Sequence, residues 1–294
     1  MKKRQRILMI SLLAPALFVL ILVMLYPLIN SFVLSFYRYM LTDPQGITFI
    51  GWGNYVRMFN TVGFWIAFRN TLVYVGGLVF FEFVIGFSLA LLLNLQIRCR
   101  AVLRGFFMIP WIIPSVAIAL LTMWLFNPDF GVVNVVLRAL GVISQPLGWL
   151  KDPSLAMPTV LLVTVWKFFP FMLVVLLAGL QTIPEDEIDS AKIDGANAVR
   201  RFIHITLPHM REIIMIVTLL EFIWSFQYIT IIWITTKGGP VYATTTFPVK
   251  VYEAAFQEWN LGFGASIGVF WILFLLVFSI FFVRVVGGKA ESKV

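Results

Sequence analysis

Windows of about 20 residues with almost no charge recur along this chain, and they decide what it can fold into. At 1.5 Å per residue, such a window crosses a hydrocarbon layer of roughly 30 Å as a helix. Backbone groups in hydrocarbon must be satisfied internally, and a helix does this segment by segment. A barrel would need shorter segments of alternating polarity, and none is present. Spans are expected at 7–29, 68–93, 103–126, 157–180, 213–236 and 263–286. The expected fold is an all-α polytopic membrane protein with six transmembrane helices. Composition agrees: 61% of residues are apolar and 12% charged, too few charges to build a water-facing exterior. Three regions follow: a first span with its outside loop at 1–67, a core of five spans at 68–286, and a tail at 287–294.

The basic stretch Met1 to Arg6 precedes an apolar run from Ile7 to Ile29. That run is too long for a signal-peptide core and no small-residue cleavage site follows it, so it is expected to stay as a span. Cys99 is the only cysteine, which excludes an intramolecular disulfide.

An even number of spans puts both termini on one side, and positive charge selects the side. With cytoplasmic termini, the inside segments hold Lys2, Lys3, Arg4, Arg6, Arg98, Arg100, Arg104, Lys192, Arg200, Arg201, Arg211, Arg284, Lys289 and Lys293. The outside segments hold Arg38, Arg57, Arg69, Arg138, Lys151, Lys237 and Lys250. This 14 to 7 bias places the termini in the cytoplasm. The net charge of +8 therefore reports orientation, and nucleic acid is not an expected partner. Outside aromatics such as Tyr37, Trp52, Tyr55 and Trp259 suit interfacial anchoring.

Residues 181–212 form the least lipid-like cytoplasmic segment. Thr182 and Glu185 have capping-box spacing, with Pro184 in the first turn, so a short helix is expected over about 183–194. Glu185, Asp186, Glu187 and Asp189 sit near its positive end. Gly195 breaks it. A second short helix should carry Val199, Phe202 and Ile203 on one face and end at Pro208. Two readings fit such a knob: a linker lying on headgroups, or a docking element for a cytoplasmic partner.

The stretch Asp189-Ser190-Ala191, then Asp194-Gly195-Ala196, then Ile205, Leu207 and Pro208 resembles the Glu-Ala-Ala motif of permease subunits of ATP-binding-cassette importers. Asp for Glu and Ser for Ala are conservative departures. The resemblance extends over nearly the whole chain, toward the maltose, trehalose and glycerol-phosphate type carbohydrate permeases. It runs through Asn70-Thr71, GFSLALLLN at 86–94, Pro110 and Pro114, Trp166 and Pro170, TTKGGP at 235–240 and Thr244-Thr245.

The resemblance implies a type I importer fold in a bacterial inner membrane, with coupling helices at 183–207. It implies a pore shared with a second, non-identical permease, two cytoplasmic ATPase subunits and an external substrate-binding protein. The ATPase-coupling residues would be Asp189, Ser190, Ala191, Asp194, Gly195, Phe202, Leu207 and Pro208, with Phe202 as the anchor. No Gly-x-x-x-x-Gly-Lys-Ser/Thr loop occurs, so ATP and magnesium belong to a partner and this chain is expected to bind no cofactor.

Three charges fall inside spans at similar depth: Glu82, Lys167 and Glu221. Each costs at least ~2.5 kcal/mol at the bilayer centre if it faces lipid, so each should face the bundle interior. An ion pair of Lys167 with Glu82 or Glu221 is one expectation, and a direct role in the pathway is the other. Glu221, Trp224, Gln227 and Tyr228, with Trp166 from span four, offer hydrogen-bonding groups and aromatic faces suited to a sugar. Proton relay by the same charges would make a secondary transporter, but no convincing internal repeat supports that fold. His204 and His209 lack ligand companions, so no metal site is expected.

Overall fold

The computed structural model describes residues 3–43, 46–95 and 97–287. The basic residues at 2, 289 and 293, and the tail from 288, lie outside the described residues. Among those described, five helices are long and apolar enough to cross a membrane, or six when a bent helix pair counts as one span.

By contacts the chain divides into two compact units, Met1–Trp65 with Lys250–Phe274, and Ile66–Val249 with Leu275–Val294. In the first, α1 (Lys3–Leu20) runs through a π turn at Ile21–Leu25 into α2 (Tyr26–Leu34). The span Leu12–Leu34 buries none of its hydrophobic window, as suits a helix solvated by lipid. Strands β1 (Tyr37–Arg38) and β2 (Thr48–Phe49) pair antiparallel, and α3 (Gly53–Asn60) follows. Asn54 Nδ2 donates to Ser35 O and Tyr37 O, which ties α3 to the end of α2. A Cβ at Gly262 would lie 2.1 Å from Tyr37 O, so only glycine fits there.

In the second unit, α4 (Val62–Asn94) and the following bent pair, α5 (Arg100–Ile112) and α6 (Ser115–Leu125), supply spans two and three. The pair bends by 88°. Pro110 stays inside α5, and the break falls at Ile113, whose extended backbone (ψ 131°) is what a residue before proline prefers. Next come α7 (Val132–Ala139) and α8 (Pro153–Leu180). Asp152 caps α8 by accepting from Ser154 N, with Pro153 in the first turn. The Ser154 hydroxyl and backbone N–H hold the Asp152 carboxyl below its ordinary pKa.

The capping box at 182–185 does not form. Thr182 Oγ1 donates to Gly179 O instead, and α9 (Glu185–Ile193) starts after Pro184 with no side-chain cap. Pro208 does not end the second short helix either. From α10 (Ala198–Arg201) the chain passes through a π turn at Phe202–Thr206 into α11 (Leu207–Ser225), and the helical span continues to Thr235. Pro208 lacks an N–H and its ring would crowd the preceding turn, and the widened turn accommodates both. The expected span 213–236 is thus the far part of a longer candidate span that starts at Ala198 and is interrupted at 226–229. Then follow α12 (Thr230–Thr235), α13 (Phe247–Tyr252) and α14 (Leu261–Phe282).

The core of the second unit lies where α4, α8 and α11 meet. Phe87, Leu93, Met172, Leu176, Leu180, Met210 and Val217 form one buried cluster. A Cβ at Gly86 would lie 2.7 Å from Met172 Cβ and 3.0 Å from Leu173 N, so α4 and α8 approach through this glycine. Asn70 and Thr71 are structural. Asn70 Nδ2 donates to Tyr242 O, and Thr71 Oγ1 accepts from Phe247 N at the start of α13.

Candidate functional site

Two groups of side chains are candidates: the exposed turn between α8 and α11, and the polar layer within the spans. In the turn, the first turn of α9 carries Glu185, Asp186 and Glu187 at its positive end, with Lys192 in its last turn. Lys192 Nζ bonds Asp189 Oδ1 at 2.8 Å. Gly195 adopts φ +77°, and Ala196 N donates to Ala191 O at 2.9 Å, a closing bond typical of a glycine C-cap. Asn197 then accepts from Arg200 N and caps α10. Arg201 Nη1 donates to Ala196 O, and His209 Nε2 lies 3.3 Å from Glu187 Oε2. These bonds fix the angle between α9 and the helix that begins at α10.

Asp189, Ser190, Asp194, Gly195 and Pro208 are exposed, while Ala191 and Leu207 are half-buried. Phe202 is not an outward anchor. Its ring packs 5.9 Å from that of Phe87, half-buried against the bundle core. The most exposed apolar side chains of the segment are Ile193, 87% exposed, and Val199, 65% exposed, with Ile203 exposed beside them. Ile193 was legible in principle: it is an apolar residue at the end of a polar helix, next to the glycine turn.

In the polar layer, Glu82, Lys167 and Glu221 are all buried. The expected ion pair is absent. Lys167 Nζ donates to Ile113 O at 2.6 Å and to Trp111 O at 3.5 Å, and lies 5.0 Å from the Phe168 ring centroid. Those carbonyls are available because Pro114 interrupts the helix that would have used them. Glu82 instead faces Glu221, and among the described residues no cation bridges to either. Tyr228 OH lies 3.3 Å from Glu221 Oε1, and Ser225 Oγ donates to Glu221 O. Tyr74 OH donates to Thr164 Oγ1 in the same buried region. Phe168 stacks on Tyr228 at 4.2 Å and 8°, and Phe171 packs on Trp224. Trp224 and Gln227 are exposed. Trp166 faces an almost wholly apolar groove lined by Phe81, Leu162 and Phe169, which offers a sugar hydroxyl little beyond the indole N–H.

No cluster of three or more His, Cys, Asp or Glu able to hold a metal occurs among the described residues. Each histidine Nδ1 is engaged with its own helix, His204 with Arg200 O and His209 with Ile205 O.

The family model for the binding-protein-dependent transport system inner membrane component matches residues 82–289. The chain belongs to this family. The sulfoquinovosyl glycerol transport system permease protein of Agrobacterium fabrum is 34% identical, over 97% of this permease and 92% of the relative. The trehalose/maltose transport system permease protein of Thermococcus litoralis is also 34% identical, over 92% and 90%. A chain in the crystal structure of a bacterial ABC transporter involved in alginate import superposes with a TM-score of 0.82, covering 96% of both chains at 23% identity. A second, of the alginate transporter in complex with an alginate pentasaccharide-bound periplasmic protein, also gives 0.82 at 23% identity, covering 95% and 93%. This permease therefore has the type I ABC importer permease fold.

Proposed function

We propose that this chain is the membrane subunit of an ATP-driven importer for a carbohydrate, and that residues 181–212 are its handle. The observation that carries the handle is the exposed, rigidly turned α9–α10 segment with Ile193 and Val199 unpartnered at its tip. The sugar-derived cargo in the names of the Agrobacterium fabrum and Thermococcus litoralis relatives supports the substrate class. A second, non-identical permease completes the pore, two ATPase subunits supply ATP and magnesium chemistry, and an external binding protein delivers the cargo. The termini and residues 181–212 face the cytoplasm, as the positive-charge bias requires.

Asp189, Ser190, Ala191, Asp194 and Gly195 form the docking surface with Ile193 and Val199, while Leu207 and Pro208 join it to span five. Closure of the ATPase dimer moves this surface, and the unbroken helical run from Ala198 to Ser225 transmits the movement into the bundle. Trp224 and Gln227, with Glu221 and Tyr228 behind them, are the sugar-path candidates, at the end of α11 and in the break that follows it. The proton-coupled alternative finds no support among the relatives, and Lys167, held by carbonyls, touches neither glutamate. In proteoliposomes of the assembled complex, uptake should require ATP on the knob side and sugar-loaded binding protein on the other. Uptake driven by a proton gradient without ATP would sink the reading.

A further inference from the structure

A basic cavity beside the knob is left unused by the transport reading. It has a volume of about 500 Å³ and is lined by Asn94, Arg100, Arg104, Gln181, Glu185 and Ile188 among others. These residues come from the end of α4, the start of α5, the end of α8 and the first turns of α9. Arg100 and Arg104 stand one turn apart on α5 and share a face. Arg104 Nε is buried with no hydrogen-bond partner, and among the described residues neither arginine is paired with an acid. The first turn of the 13-residue α5 also lacks a side-chain cap, because its N-cap, Cys99, makes none. The positive end of the helix therefore adds to the two guanidinium charges. The amides of Asn94 and Gln181 supply further donors, and Glu185 is the single opposing carboxylate on the wall.

We propose that this cavity binds a phosphate-bearing anion. A planar guanidinium fork matches two phosphate oxygens, and a basic pocket between span ends at the cytoplasmic headgroup level suits the phosphate of an anionic phospholipid. Free phosphate presents the same oxygens. Because Glu185 and Ile188 belong to α9, the bound anion braces the helix that leads to Gly195. That consequence rests on the coupling reading; the binding does not.

The test uses the assembled complex in nanodiscs of phosphatidylcholine alone, or with phosphatidylglycerol added. Native mass spectrometry counts retained anionic lipid on intact assemblies only, so misfolded protein does not enter. Arg104→Gln should weaken retention of one phosphatidylglycerol per permease about ten-fold, the loss of one charged hydrogen-bonded contact. Arg104→Lys should restore part of it, and Arg284→Gln, the same charge removed from the π turn at Val283–Gly287 after α14, should leave it unchanged. Equal retention in Arg104→Gln and unaltered protein overturns the site, as does equal loss in Arg284→Gln. Inorganic phosphate added to the phosphatidylglycerol-containing discs distinguishes the sources: displacement of the retained lipid, lost in Arg104→Gln, supports the site with a free anion as occupant. ATPase stimulation, measured in parallel, should rise with phosphatidylglycerol. If retention behaves as stated and stimulation does not respond, the coupling reading fails and the site stands.

Discussion

At Gly195 the chain turns with φ +77°, and a Cβ added there would meet no atom within 4 Å. The constraint is backbone conformation rather than space. An L-residue in the left-handed region costs about 1–2 kcal/mol, which the α9 turn would relieve by changing its angle. Gly195→Ala should therefore leave the amount of membrane-inserted protein unchanged and lower binding-protein-stimulated ATPase activity several-fold, with Gly195→Asp lower still. Normal transport by Gly195→Asp would contradict the docking role. Lys167 makes the opposite case, a side chain whose type was read correctly and whose partner was not. Sequence puts a cation at the depth of two carboxylates and suggests a pair. The partner it takes is Ile113 O, a carbonyl freed by a proline 53 residues earlier, and only the fold reveals that juxtaposition. Lys167→Met should lower the thermal midpoint of the purified complex, because one buried carbonyl loses its donor at about 1–3 kcal/mol. Exchanging the charges of Lys167 and Glu221 should not rescue it, and full rescue would restore the ion pair.

Elements were legible where periodicity and length decide them, and less so where two local signals compete. All six expected spans fall on helices, because long uncharged runs leave the backbone no other way to bond itself in lipid. Their ends and joints were harder to place. Pro114 breaks its helix by 88°, Pro110 sits within a helix, and Pro208 is absorbed by a π turn. A proline's effect depends on whether the turn before it can widen or its neighbour can extend, which packing decides. The π turn also explains Phe202. By sequence it lies on the exposed face of a short helix, yet in the widened turn it reaches Phe87, and the side chains left exposed are Ile193 and Val199. The close approach of α4 and α8 at Gly86 gives a prediction at this scale. Gly86→Val places atoms inside contact distance of Met172 Cβ and the Leu173 backbone, and overpacking of this kind costs about 1–3 kcal/mol. The variant should show a lower thermal midpoint, and an unchanged midpoint would mean the two helices do not meet at this residue.

For the whole molecule, the distribution of its few charges is what makes the bundle a machine part. Lipid solvates most of its surface, as the spans with largely unburied apolar faces require. The polar turn between α8 and α11 is where a water-borne partner could take hold. Its outward apolar residue, Ile193, is 87% exposed and has no use within this chain. The most direct measurement of the handle is therefore the rate at which a polar maleimide labels Ile193→Cys, in a Cys99→Ser background, with and without the ATPase subunits. Assembly should protect Ile193→Cys by at least about ten-fold, as expected for a side chain at the buried centre of an interface, and a cysteine at exposed Val241 should label equally in both states. Equal labelling of Ile193→Cys in the free permease and in the assembled complex would contradict the account.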